Sequence, residues 1–229
     1  MSTYRKFDKY RARSDFLSDI EFGIDTPANK WIATGTGTPA VAVVPGKGLS
    51  VATSAGGTAT AFIQRGVISA ATKSAPVQLH KGRKAHIVAS ISSPDLGVFG
   101  FALGFAAAAA DPAAAAARCL LRYDATDGFI AELGATKTIT VERALADLIV
   151  DGQLDLEVYY DGTDHVQFFA GRQRLAKLEA AFDGTTGAST DAAGNLSPTF
   201  GVVNGGVAAA HTATLHVLGF AAQRVPAHL

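Results

Sequence analysis

The sequence predicts an all-β protein, an antiparallel β-sandwich, and two observations carry this prediction. Residues 154–171 alternate between apolar and polar side chains on either side of Asp161-Gly162, which is the pattern of a β-hairpin. Short β-like runs separated by glycine-rich turns also recur along the chain, without a strong amphipathic helix. Together these features favour two packed sheets over a helical or mixed fold.

The hairpin has one apolar face and one polar face. Because side chains alternate along a strand, the apolar face takes Leu154, Leu156, Val158 and Tyr160 from the first strand and Val166, Phe168 and Ala170 from the second. An isolated hairpin is only marginally stable in water, so a second sheet must cover this apolar face. We therefore expect Leu156, Val158 and Phe168 to lie in the interior.

The rest of the chain supplies about 12 to 14 short strands by the same criteria. The segment 98–105 places Phe99, Phe101, Leu103 and Phe105 on one face, which indicates core, and leaves glycine and alanine on the other. Residues 106–117 are predicted to be a surface loop with at most one helical turn, and 142–148 a short helical turn. The other predicted strands are 40–44, 48–53, 60–64, 85–92, 118–123, 129–133, 137–141, 174–178, 196–206 and 211–220.

Composition excludes several classes of function. The 229 residues suit one large domain; the hydrophobic fraction of 48% includes 44 alanines, so large core residues are modest in number. Twenty basic residues balance 20 acidic ones, which gives no overall field to attract nucleic acid. The single cysteine, Cys119, excludes an internal disulfide and a zinc site built on paired cysteines, and we expect a buried, inert thiol there. No secretory or membrane-spanning segment is apparent, so no membrane partner is expected.

Residues 1–15 are predicted to form an extended N-terminal arm, ahead of a sandwich domain at 16–229. The arm mixes cations and aromatics without a core pattern, so it is either a mobile tail or a segment that orders against a partner protein. Nucleic-acid binding is the weakest alternative, since acidic residues interrupt the cations. The predicted contact residues are Tyr4, Arg5, Lys6, Phe7, Lys9, Tyr10, Arg11 and Arg13.

The carboxylates of the hairpin were tested for glycosidase chemistry. Asp155 and Glu157 share one strand face at a backbone spacing of roughly 6.6 Å. A retaining glycosidase needs two carboxyl groups close together in a cleft. Glucanases of similar fold carry three alternating acidic residues on one strand, whereas this strand has only these two. A solvated strand face explains them better. No nucleophile constellation is apparent either, so the sequence predicts no enzyme, no catalytic residue and no cofactor.

Metal binding is not expected. His211 and His216 are five residues apart and would point to opposite faces of a strand. Asp161 and Asp164 flank a glycine turn, where turn chemistry accounts for both. The sequence therefore predicts no metal site.

Several sequence motifs occur in an order that can be compared with known families. The motifs lie at 99–105, 123–129, 158–162, 196–205 and 223–224, and the earlier part from 15–17 through Trp31 is compatible with them. In this order they resemble a bacteriophage virion family of concanavalin-like jelly rolls. His216 stands where that family's pattern leads us to expect an acidic residue.

The resemblance implies a structural component of a phage particle. The leading expectation is a capsid decoration or cement protein, made in the host cytoplasm, that stabilises the shell through the major capsid protein and assembles as a homo-oligomer, most simply a trimer. The alternative is a lectin-like carbohydrate-binding module of a phage tail or host-recognition apparatus. Trp31 is the sole tryptophan and there are five tyrosines, which offers few aromatics for sugar stacking and favours the structural role.

Overall fold

The computed structural model describes residues 16–21, 31–44, 47–65, 77–107, 109, 111–206 and 208–223. The predicted arm, with all eight of its contact residues, lies outside the described residues. The described part contains fifteen strands, and its helical structure is limited to two 3₁₀ turns, Pro112–Ala114 and Leu145–Leu148. No helix among these residues has the length and apolarity to cross a bilayer.

The boundaries of thirteen strands agree closely with the alternating patterns that predicted them, whereas the strands at 16–21 and 31–34 were not predicted. The strands are β1 (Phe16–Glu21), β2 (Trp31–Thr34), β3 (Ala40–Val44), β4 (Gly48–Ala52), β5 (Thr60–Arg65), β6 (Ala85–Ser92), β7 (Gly100–Ala106), β8 (Arg118–Asp124), β9 (Gly128–Leu133), β10 (Lys137–Val141), β11 (Leu154–Tyr160), β12 (His165–Ala170), β13 (Gln173–Glu179), β14 (Ser197–Val203) and β15 (Thr212–Gln223). The expected helical turns at 106–117 and 142–148 are the two 3₁₀ turns.

The strands form two antiparallel sheets, which confirms the predicted fold class. The eight-stranded sheet runs β13-β12-β11-β6-β15-β4-β3, with β1 pairing to β15 beside this path. The seven-stranded sheet runs β10-β9-β8-β7-β14-β5-β2. About half of the neighbouring strands are consecutive in the sequence and the others are distant; β6, for example, lies between β11 and β15.

The core lies between the sheets and takes its side chains from the faces that the sequence indicated. Phe99, Phe101 and Phe105 are at most 1% exposed, as is Leu103. Across the sandwich, Val158 and Phe168 are fully buried and Leu156 is 1% exposed, so the predicted inward face of the hairpin is confirmed. Gly162 takes the positive φ of +86° that the hairpin turn requires.

Part of the outer face of the seven-stranded sheet is also buried. Phe62 lies across Gly201, where an added Cβ would stand 2.0 Å from the ring, and it is fully buried although it points away from the core. Nearby, the buried Glu132 carboxylate accepts hydrogen bonds from Arg118 Nε at 3.0 Å and Arg122 Nη2 at 2.8 Å. The absence of a side chain at Gly201 thus makes room for the Phe62 ring on this face.

Candidate functional site

Two tight turns lie side by side, one just before β11 and the other between β12 and β13. Asp151-Gly152 precedes β11, and Gly171-Arg172 joins β12 to β13. The φ angles are +53° and +73° in the first turn and +54° and +68° in the second. Positive φ at both central residues is the signature of type I′ turns, which match the twist of antiparallel strands.

The two turns are held together by a close backbone approach. Gly171 N donates to Asp155 O at 2.8 Å, which ties the second turn to the start of β11. A Cβ at Gly171 would lie 2.5 Å from Leu148 O and 2.8 Å from Leu148 Cα. Only glycine fits both the left-handed conformation and this contact, so the spacing between the turns depends on it.

A cleft of about 190 Å³ opens between these turns. It combines an apolar wall with polar side chains: Leu148 is buried, whereas Val150 is 54% exposed, the largest exposure among the described large hydrophobic residues. Ligand sites in proteins pair apolar surface with a few placed polar groups in this way. The lining residues are Leu148, Val150, Asp151, Gln153, Asp155, Gly171 and Arg172.

The charges of the cleft are only loosely neutralised. Arg172 Nε lies 3.9 Å from Asp155 Oδ2, with the two side chains 62% and 32% exposed. Exposed pairs of this kind contribute about 0 to 1 kcal/mol, so the guanidinium can reorient towards another acceptor. Asp151 adds a second carboxylate, and the lining therefore carries two negative charges against one positive charge.

Backbone strain is concentrated at the same place. Asp151 and Arg172 are the two non-glycine residues with left-handed φ among the described residues, and both line the cleft. Such conformations cost on the order of 1 to 3 kcal/mol, and aspartate tolerates them better than arginine does. Glycine or asparagine would adopt this conformation more easily, so the side chain of Arg172 is a candidate functional group.

A polar strand face continues from the cleft across the eight-stranded sheet. Ser90 Oγ donates to Gln153 Oε1 at 3.2 Å. Further along, His86 Nε2 lies 2.9 Å from Glu157 Oε1, with side chains 4% and 13% exposed, and the Tyr159 ring meets His86 edge-on at 5.3 Å. The face thus joins the cleft to a compact histidine–glutamate–tyrosine cluster.

This arrangement corrects the sequence-based interpretation of the carboxylate pair. Asp155 and Glu157 do share a strand face, but Glu157 is largely buried against His86 rather than solvated. Asp155 faces Arg172 in the cleft instead. The two carboxylates therefore have different partners, His86 and Arg172, and distinct surroundings, which alternation along one strand could not reveal.

The histidines that were considered as metal ligands lie in separate places. His211 precedes β15, and its Nδ1 is 3.6 Å from Asp95 Oδ2. His216 lies within β15, where its Nε2 is 2.7 Å from Ser92 Oγ. Within the described ranges no three histidine, cysteine, aspartate or glutamate side chains come together as a metal site.

Asp161 and Cys119 have the surroundings that the sequence predicted, a turn and the apolar interior. Asp161 Oδ1 accepts hydrogen bonds from Thr163 N at 2.8 Å and Thr163 Oγ1 at 2.5 Å. Partial burial raises the pKa of Asp161, but these hydrogen bonds lower it further, so the pKa lies below its usual value. Cys119 is fully buried, and burial raises the pKa of its thiol, which agrees with the expected inert cysteine.

Three side chains of the cleft were not predicted from the sequence: Val150, Gln153 and Arg172. A signal for two of them was present, because Asp151-Gly152 is a strong type I′ dipeptide and its flanking residues must then pair. Val150 and Gln153 do exchange backbone hydrogen bonds of 2.9 and 3.0 Å. Arg172 gave no signal, since arginine is an unusual residue for a left-handed turn position.

No protein-family model and no curated protein sequence matches the chain. Solved structures do match it. Arcelin-5, a lectin-like defense protein from Phaseolus vulgaris, aligns with a TM-score of 0.59 at 9% identity, over 93% of this chain and 100% of that one. Peanut lectin aligns with a TM-score of 0.54 at 10% identity, over 93% and 100%. A sialidase aligns with a TM-score of 0.54 at 10% identity, over 90% of this chain but 18% of its own.

Likeness at this level of identity shows the fold. The predicted concanavalin-like jelly roll is confirmed, because the neighbours are lectin-like β-sandwiches. The comparisons give no link to a bacteriophage, so that part of the resemblance lacks support. The fold occurs in lectins and also in a sialidase, so it does not decide between binding and catalysis.

Proposed function

We propose that this protein is a lectin-like glycan-binding module and that the cleft between the two type I′ turns is its sugar site. The observation that carries the proposal is the combination of one exposed apolar side chain with several polar ones in a small depression. A sugar ring presents C–H groups on its faces and hydroxyl groups around its rim, so it requires both kinds of contact. Val150 supplies the first; Asp151, Gln153, Asp155 and Arg172 supply the second.

The dimensions suit one sugar unit. The cleft volume of about 190 Å³ lies below the range of roughly 300 to 1,000 Å³ that holds drug-sized ligands. The polar strand face beyond Gln153 would accommodate further units of a longer chain. We therefore expect binding of oligosaccharides through a terminal or single internal residue.

The charge of the lining indicates a neutral glycan. Two carboxylates and one guanidinium leave an excess negative charge, which disfavours uronic or sialic acids through like-charge repulsion. Carboxylates accept hydrogen bonds from sugar hydroxyls, and the exposed guanidinium of Arg172 can donate to ring or hydroxyl oxygens. The wild-type protein should accordingly prefer neutral over acidic sugars.

The test is a glycan array followed by calorimetry on the best neutral oligosaccharide. Arg172→Gly is the decisive variant, because glycine favours the left-handed conformation and removes the guanidinium without straining the turn. We expect at least a tenfold weaker affinity, about 1.4 kcal/mol, since hydrogen bonds to charged groups contribute about 1.5 to 3 kcal/mol. Thermal stability should stay unchanged or rise.

Arg174→Ala is the matched control, since Arg174 is an exposed arginine on β13 outside the cleft lining. Its affinity should equal that of the wild type. Absence of binding to any glycan, or equal affinities of the Arg172→Gly protein and the wild type, would refute the proposed site. A wild-type preference for acidic glycans would refute the charge argument alone.

The role as a capsid decoration protein stays a prediction. Its partner, the major capsid protein, and its location on a virion depend on the arm and on the phage resemblance, and neither geometry nor comparison bears on them. The absence of catalysis likewise stays a prediction. Hydrolysis of a bound oligosaccharide during the binding assays would contradict it.

A further inference from the structure

The terminal strand β3 of the eight-stranded sheet has an uncharged and accessible edge. Among the described residues it pairs with β4 alone, and its sequence is Ala-Val-Ala-Val-Val. Ala40, Ala42 and Val43 are exposed, with Val43 at 38%. An edge of this kind presents unpaired N–H and C=O groups with no charged side chain to keep another strand away.

Charged residues protect the sheet edges at β13 and β10 against pairing with another strand. Strand β13 exposes Arg174, Lys177 and Glu179. Strand β10 begins with Lys137 and is followed by the exposed pair Glu142-Arg143. Charged residues on an edge oppose pairing with a second sheet, so β3 differs from both.

The side chains of β3 also leave the rim of the core incompletely covered. Val41 and Val43 oppose the buried Val51 and Leu49 of β4, and Val41 packs against the core. Val43 is on the same face, yet more than a third of it stays exposed. Another strand beside β3 would cover this valine and would pair with the backbone groups that have no strand partner among the described residues.

We propose that β3 is a dimerisation strand that pairs antiparallel with β3 of a second copy of this chain. An antiparallel pairing of identical strands is self-complementary and closes with twofold symmetry, so it does not propagate into a filament. With the axis at Ala42, Val43 of each copy lies opposite the partner's Val41, and apolar side chains meet only apolar ones. The formal net charge of zero removes long-range repulsion between copies.

The pairing joins two eight-stranded sheets into one continuous sheet. A five-residue strand contributes a small interface, and interfaces below about 1,000 Å² belong to weak or transient complexes. The dimer should therefore dissociate on dilution. This inference is independent of the sugar site, because the cleft lies at the β11–β13 side of the same sheet.

The first test measures mass against concentration by light scattering and sedimentation of the full chain. Val43→Lys places a charge on the edge and should raise the dimer dissociation constant at least tenfold. Ile139→Lys is the matched control, because Ile139 is 40% exposed on the β10 edge. The control should dimerise like the wild type.

The second test does not depend on a destabilising substitution. Directly opposite residues in antiparallel strands have Cα atoms about 4.5 to 5.5 Å apart, which a disulfide can bridge. Under mild oxidation, Ala42→Cys should give a covalent dimer, whereas Thr140→Cys on the β10 edge should not. The native Cys119 is fully buried and does not interfere.

A wild-type chain that is monomeric at all concentrations would overturn the proposal. So would a trimer, a dimer that survives Val43→Lys, or equal cross-linking of the Ala42→Cys and Thr140→Cys proteins. Concentration-dependent dimers that weaken with Val43→Lys only, together with cross-linking through residue 42, would support it.

Discussion

Phe168 connects the most strongly predicted element of the sequence to the stability of the whole sandwich. Its side chain is fully buried on the inner face of β12, opposite Val158 of β11. Truncation to alanine removes the transfer free energy of a buried aromatic ring, about 1.5 to 3 kcal/mol, and adds the cost of a cavity that the surrounding sheets cannot fill. We expect Phe168→Ala to lower the free energy of unfolding by about 3 to 5 kcal/mol.

Urea denaturation and calorimetry measure this loss. For a chain of this length each kcal/mol shifts the midpoint temperature by about 2 to 4 °C, so the melting temperature should fall by about 6 to 20 °C. Phe169→Ala is the control, because the next residue carries the same ring on the opposite, half-buried face and should cost about 1 kcal/mol. An unchanged melting temperature for Phe168→Ala, or equal losses for both variants, would refute the assignment of faces.

The remaining predictions concern a buried ion cluster, a turn contact and a pH dependence. Glu132→Gln should cost about 2 to 4 kcal/mol in urea unfolding, because Glu132 is 3% exposed and forms ion pairs with both Arg118 and Arg122; a loss below about 0.5 kcal/mol would contradict a structural role for the cluster. Gly171→Ala should weaken glycan binding and lower the melting temperature together, since its Cβ would collide with Leu148, whereas Gly184→Ala, where a Cβ meets nothing within 4 Å, should alter neither. Thr163→Val should destabilise the protein at neutral pH, because the folded-state pKa of Asp161 is held below its unfolded value and the resulting stability is present above about pH 4. That stability is lost as the pH falls through the lowered pKa, so unfolding curves of variant and wild type should converge in acid; a constant gap down to about pH 2 would contradict the assignment.

Local sequence patterns predicted every described strand except β1 and β2, and they predicted the inner and outer faces of the hairpin. Alternation over 154–160 and 165–170 predicted which side chains of the hairpin are buried, because the two-residue period of a strand is fixed by its backbone. The phenylalanine stripe before and within β7 was predicted for the same reason. Glycine-rich turns located most strand ends within one or two residues.

The candidate site could be predicted only in part. The sequence places Asp155 on the polar face of β11, but it did not lead us to a turn at Asp151-Gly152. The cleft itself requires Gly171 to approach Leu148, a contact between residues 23 positions apart that no periodic pattern encodes. Arg172 became notable only through its left-handed backbone, which is a property of the folded chain.

The sequence by itself determined an all-β sandwich, its buried faces and the inert character of its cysteine, since these follow from side-chain periodicity and composition. The tertiary structure decided which strands are neighbours. It brought His86 to Glu157 across 71 positions, enclosed Glu132 between two arginines and left β3 at the end of a sheet. The physical reason is that alternation fixes the face of each side chain, whereas strand order is set by long-range packing between segments that carry no mark of their partners.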